Sequence, residues 1–215
     1  LVHTSYQIFL AWAYEKGDLS RVYPIARGSA PLMVLVVGSV LLPDRLAPLE
    51  ATGIVVLGAG ILGMAAGVFR SGESIALLPL ALATAVATAT YSMVDGTGAR
   101  VDGDALAYVG WLLALATVFY APAAIWMRGT AVIPRGAKGW LWGMGAGAAS
   151  WAAYATVVWA MTQAPIALVA ALRETSILFA VLLGWLLFGD RMTRGKWLSA
   201  GLILLGVLLT RLAAV

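Results

Sequence analysis

The sequence has no cysteine and a single histidine, His3. Disulfides, iron–sulfur clusters and thiolate nucleophiles are excluded, and one imidazole leaves no zinc site. Charge is scarce too. Only 11% of the 215 residues are Asp, Glu, Lys or Arg, where a soluble domain carries about a quarter. The formal net charge of +4 is small, and the basic residues sit in short loops instead of along one face. A nucleic-acid partner is not expected on that pattern, nor is a cofactor. The first residues carry neither the basic region nor the cleavage site of a signal peptide.

What fills the chain is hydrocarbon: 62% of residues are hydrophobic and the mean hydropathy is +0.92. Apolar runs bounded by charge, Gly and Pro fall at 1–16, 20–42, 48–68, 74–94, 105–127, 138–162, 165–189 and 194–213. All but the first have the roughly 17–25 residues an α-helix needs to cross a bilayer. No run shows the alternating ten-residue pattern of a membrane barrel. The expected fold is an all-α integral membrane bundle with about eight spans present, each packing antiparallel to its sequence neighbour. Pro31, Pro79 and Pro122 fall inside these spans and predict local breaks or kinks. Gly63-xxx-Gly67 and Gly143-xxx-Gly147 are spaced for close helix approach.

Two segments align without a gap when one is shifted by about 146 residues. Arg27 then falls on Arg173, Gly38 on Gly184, Asp44-Arg45 on Asp190-Arg191, Gly60 on Gly206 and Leu62 on Leu208. Five spans lie between residue 74 and Val215. Five is odd, so two such units enter the membrane from opposite sides, as an inverted 5+5 repeat. The expected division is 1–70, the last three helices of a first repeat, and 71–215, a complete second one. Run backwards, the shift predicts about 72 residues before Leu1, or two helices and part of a third.

Among the charged residues only Arg27, Arg173 and Glu174 fall well inside a span. A charge there costs several kcal/mol unless it meets a partner or a wet cavity. Two arginines near the midplane would hold a carboxylate or phosphate. The alternative is structural, each arginine neutralising a buried acid. Glu174 and Asp95, the latter placed at the end of the 74–94 helix, are candidates for proton coupling. Tyr23 shares the face of Arg27, Tyr91 that of Asp95, and Trp151 and Tyr154 stand three apart; these aromatics are candidate cavity lining.

The stretch Tyr14-x-x-Gly17-Asp18-Leu19-Ser20-x-Val22-Tyr23-Pro24-Ile25-Ala26-Arg27-Gly28-x-Ala30-Pro31 resembles the central motif of the first EamA domain of drug/metabolite transporters. Pro165-x-Ala167-x-Val169-Ala170-Ala171-Leu172-Arg173-Glu174-Thr175-Ser176-Ile177-Leu178-Phe179-Ala180, followed by Leu187-Phe188-Gly189-Asp190-Arg191, is similar to that of the second domain. Tyr91-x-x-x-Asp95-Gly96-x-Gly98-x-Arg100 also recurs in this subgroup. The resemblance implies ten helices in two inverted halves, a central cavity and alternating access. It also implies export of a small polar metabolite, amino acid-like or another organic anion or zwitterion, through a bacterial inner membrane. The bilayer and a small-molecule substrate are then the partners, and a homodimer is compatible.

Sidedness is contested between two signals. Lys16, Arg21, Arg70, Arg128, Arg135, Lys138, Arg191, Arg194 and Lys196 fall on one side, with Arg45, Arg100 and Arg211 on the other. The positive-inside rule places the C-terminus outside, whereas the resemblance places both termini inside. A lipid or lipid-linked sugar flippase of similar fold is the alternative function, and it predicts a lateral apolar opening beside the arginines. A non-transporting membrane scaffold is a further one. An intramembrane hydrolase would need paired Asp or His ligands within the spans, and the Gly96-x-Gly98 pair is read as loop.

Overall fold

The computed structural model describes residues 2–16, 19–65, 77–188 and 193–213, and no side chain is described at 14–16, 19–25, 65, 77, 180, 184 or 188. Its helices are α1 (Val2–Lys16), α2 (Leu19–Leu41), α3 (Pro48–Ala65), α4 (Leu77–Asp102), α5 (Ala105–Arg128), α6 (Ala137–Gln163), α7 (Ile166–Arg173), α8 (Ser176–Phe188) and α9 (Arg194–Leu212). No strand occurs among the described residues. By length and composition, Ala105–Val132, Ile166–Leu187 and Arg194–Leu212 are each able to cross a membrane. The flanks agree with that environment. Trp111, Val118 and Trp126 on α5, Trp142 on α6, and Leu186 and Leu187 on α8 all stand exposed, an apolar surface that water would not tolerate but lipid does.

The core lies where α2, α3, α7 and α9 meet. Val34, Ile54, Leu57, Ile61, Ile166, Ala170, Ala171 and Ile203 form one buried cluster there. Lipid is as apolar as leucine, so helices inside it adhere through close contact and not through hydrophobic expulsion. The seam between α3 and α9 shows this. A Cβ on Gly206 would stand 2.7 Å from the Gly53 carbonyl oxygen and 2.6 Å from Leu57 Cβ. A Cβ on Gly60 would stand 2.9 Å from the Ser199 carbonyl oxygen and 2.8 Å from Ile203 Cγ1. Gly53 thus lies beside Gly206 and Gly60 beside Ser199, so the helices run antiparallel. The repeat shift carries Gly60 onto Gly206, Leu57 onto Ile203 and Gly53 onto Ser199, and the two contact sets exchange. That exchange is the mark of a two-fold interface between equivalent elements.

Several expectations need correction. Helix α4 continues to Asp102, so Asp95, Gly96, Gly98 and Arg100 are helical and not terminal or loop residues. Glycine's poor helix propensity is overridden by packing: a Cβ on Gly96 would meet Ile166 Cδ1 at 2.6 Å, and one on Gly98 the Tyr108 hydroxyl at 2.6 Å. The helix stops at Gly103, whose φ of 84° suits glycine. Asp104 then caps α5 by accepting from the amides of Leu106 and Ala107.

Pro31 and Pro122 sit inside uninterrupted helices, while Pro79 is the third described residue of α4. Gly143 and Gly147 face open space with no atom in reach; the close seam belongs to α3 and α9 instead. Gly67 and the Asp190-Arg191 pair lie outside the described residues. The 165–189 run is divided in two. Between α7 and α8 the amides of Glu174 and Thr175 bond to the carbonyls of Ala171 and Leu172, a tightened turn three residues long.

Substituting Gly206→Leu should lower stability in detergent by about 1–3 kcal/mol, since backbone occupies the added volume. Gly201→Ala on the same helix, where a Cβ meets nothing within 4 Å, should leave the thermal midpoint unchanged. Thermal unfolding of the two variants checks both.

Candidate substrate site

The break between α7 and α8 presents Arg173 and Glu174 to α2 and α4. Glu174 is 1% exposed. Arg27, from α2, donates Nη1 to both of its carboxylate oxygens at 3.1 and 3.2 Å, and Arg173 donates Nε to Oε1 at 3.0 Å. A lone carboxylate at that depth would cost several kcal/mol. Two guanidiniums on one carboxylate offset the cost. The two arginines that the repeat pairs are therefore brought together by an acid between them. Arg173 also lies over the Tyr91 ring, 5.7 Å from its centroid, within range of a cation–π contact.

Tyr91 joins this triad to a second polar group. Its ring stacks on His3 at 4.4 Å and meets Tyr6 and Tyr154 edge-on at 5.4 and 6.1 Å. One turn further along α4, Asp95 is 1% exposed. It lies 2.6 Å from His3 Nε2 and accepts from the Tyr154 hydroxyl at 2.5 Å and from the Tyr108 hydroxyl at 3.3 Å. Helices α1, α2, α4, α5, α6 and α7 all contribute a polar side chain to this interior.

Of the sequence-predicted residues, the structure brings Arg27, Arg173, Glu174, Tyr91, Asp95 and Tyr154 into one network. The side chain of Tyr23 lies outside the described residues. Trp151 stands apart, lining a cleft of about 370 Å³ with Gln7, Thr117, Tyr120 and Ser150 between α1, α5 and α6. His3, Tyr6 and Tyr108 were not expected. The available signal was helical spacing: His3 and Tyr6 share the face of α1 on which Leu10 and Ala13 pack against α4.

A family model described as the EamA-like transporter family matches residues 76–212. The chain belongs to the EamA-like transporter family. It is thus a multi-pass membrane protein of a drug/metabolite transporter type. A solved crystal structure that shares 20% identity superposes with a TM-score of 0.72, over 97% of this chain and 74% of its own; at that identity it shows the fold. No curated protein matches the chain.

In this EamA-like chain a second ion pair sets where α7 begins. Asp44, in the α2–α3 loop, accepts from Arg100 Nη1 at 2.6 Å and Nη2 at 3.2 Å, and from the Ile166 amide at 2.8 Å. Arg100 also donates Nε to the Met161 carbonyl at 2.8 Å and Nη2 to the Ala164 carbonyl at 2.9 Å. Those carbonyls close α6, and the Ile166 amide opens α7, so the pair satisfies both sides of the Pro165 turn. Arg100 is accordingly a helix-borne clamp and not a loop charge reporting membrane side.

Arg100→Gln should cost about 1–3 kcal/mol by leaving those carbonyls short of donors. Asp44→Asn, which keeps an oxygen for the Ile166 amide, should cost less. Midpoints of thermal unfolding in detergent measure the order.

Proposed function

We propose that this EamA-like protein is a secondary transporter, an exporter of a small polar metabolite bearing a carboxylate or a comparable anion. The observation that carries the reading is the arginine pair on one carboxylate at the break of a membrane-crossing helix. Broken spans expose backbone polar groups and side chains at depth, which is where carriers bind their substrates. Two guanidiniums converge at that break, and a planar guanidinium fork suits a carboxylate. The Tyr91, Tyr6 and Tyr154 rings beside it supply apolar walls with polar edges, fitting the organic part of such a molecule.

Alternating access follows from the two-fold seam in this proposal. The half comprising residues 1–70 and the half comprising 71–215 meet at the α3–α9 seam, where Gly53, Gly60 and Gly206 let the two backbones approach closely. One bundle rocks against the other while Arg27 and Arg173, one from each half, face the same substrate. The membrane is the bacterial inner membrane in this reading.

Arg27→Ala and Arg173→Ala should each reduce flux about tenfold or more, the equivalent of a lost charge-assisted hydrogen bond. Membrane insertion should persist. Metabolite release from cells overexpressing each variant, with membrane abundance measured in parallel, is the test. Wild-type release by both variants would sink the assignment.

A further inference from the structure

The Asp44–Arg100 pair differs from the Glu174 triad in one physical respect. The Glu174 side chain is 1% exposed, whereas those of Arg100 and Asp44 are 25% and 15% exposed. Breaking the triad would strand a carboxylate in low dielectric. Breaking the clamp hands both charges to water, which makes it the more reversible of the two.

Its position gives that reversibility a use. Arg100 lies five residues beyond Asp95 on α4, about 7 Å of helix, and Ile166 lies seven residues before Arg173 on α7, about 10 Å. The clamp therefore stands at the end of the bundle where α6 stops and α7 starts, above the polar interior. Met161 and Ile166, both fully buried, fill the layer between. Ile166 is seated so closely that a Cβ on Gly96 would meet its Cδ1 at 2.6 Å. The clamp ties the backbone of both plug residues: Arg100 Nε donates to the Met161 carbonyl, and the Ile166 amide donates to Asp44.

Farther along α6 its contact with α1 gives way. Past the His3–Tyr154 ring contact at 5.7 Å, Gln7 of α1 and Ser150 and Trp151 of α6 line the cleft of about 370 Å³. Helix α1 itself packs on α4 through Leu10 and Ala13 against Ala81. Thus α6 is pinned to α4 where it ends and parted from α1 in its middle.

We infer that the Asp44–Arg100 pair is a gate. Made, it seals the arginine site from the α6–α7 end of the bundle. Opened, it releases the Met161–Ile166 plug and lets the middle of α6 swing toward α1, which closes the cleft. The inference rests on the alternating-access reading above. The two arrangements differ in which end is tied, so weakening the pair shifts the population from one toward the other.

The test uses the purified chain in detergent, where both ends meet solvent, and a charged methanethiosulfonate as thiol reagent. The chain has no cysteine of its own, so single reporters carry the signal. Ala167→Cys lies next to the plug, Ser150→Cys lies in the cleft, and Ala81→Cys lies buried between α1 and α4 as the folding control. With the clamp intact, Ser150→Cys should react fast and the other two slowly. Asp44→Asn should speed Ala167→Cys about tenfold, as for the loss of one charge-assisted hydrogen bond from the closed state. It should slow Ser150→Cys and leave Ala81→Cys protected. Arg100→Lys keeps the charge without the fork that reaches both carbonyls, and should give the same opposite changes, smaller in size. If Asp44→Asn exposes Ala81→Cys, it has unfolded and Arg100→Lys decides; exposure by both variants makes the pair a structural clamp and overturns the gate. Unchanged labelling at Ala167→Cys, or a rise there with Ser150→Cys unaffected, overturns the gate alone. Equally fast labelling of Ala167→Cys and Ser150→Cys with the clamp intact overturns the alternating-access reading and the gate with it.

Discussion

A charge inside a bilayer has to be matched, and the arrangement around Glu174 follows from that constraint. The carboxylate is nearly sealed from solvent, and its two partners come from α2 and from its own helix. Lose either arginine and an unmatched charge remains in low dielectric. The triad therefore ties α2 to the α7–α8 break. The break is satisfied internally: the amides of Glu174 and Thr175 bond to the Ala171 and Leu172 carbonyls, and the Thr175 hydroxyl joins its amide on the Leu172 carbonyl. Helix discontinuity at membrane depth survives only with such internal satisfaction.

Two supports hold that triad in place, and they work by different physics. The α3–α9 seam is contact of backbone on backbone, made possible by Gly53, Gly60 and Gly206. It depends on glycine opposite Leu57 and Ile203, whose side chains fill the space a Cβ would take. The Asp44–Arg100 clamp is directional and charged, fixing the Pro165 turn and hence the depth at which Arg173 and Glu174 emerge.

Much of the architecture was legible without coordinates, because a hydrophobic run of membrane length has one stable solution in lipid. The Arg27–Arg173 pairing was legible too, since the repeat exposed it. A positive locus and structural neutralisation were set against each other for these arginines, and which acid would meet them was not legible; the structure places Glu174 between the two. Helix α4 was cut short at residue 94 because Gly96 and Gly98 look like loop residues. Their purpose is proximity to Ile166 and Tyr108, and a single chain of letters does not show what lies opposite a glycine. His3 went unnoticed for a similar reason, its partner Asp95 being 92 residues away.

The sequence by itself determined an all-helical membrane protein, its approximate spans, its internal duplication and the two arginines that duplication picks out. These are properties of hydrophobic content and periodicity, which are local or repeat at a fixed distance. Only the tertiary structure decided that the arginines share one acid, that the fourth helix carries Asp95 into the interior, and that a lone histidine meets it there. Each of those depends on which helix faces compete for the same space. In hydrocarbon that competition is settled by close approach and by matching of buried charge, neither of which a span's own composition records.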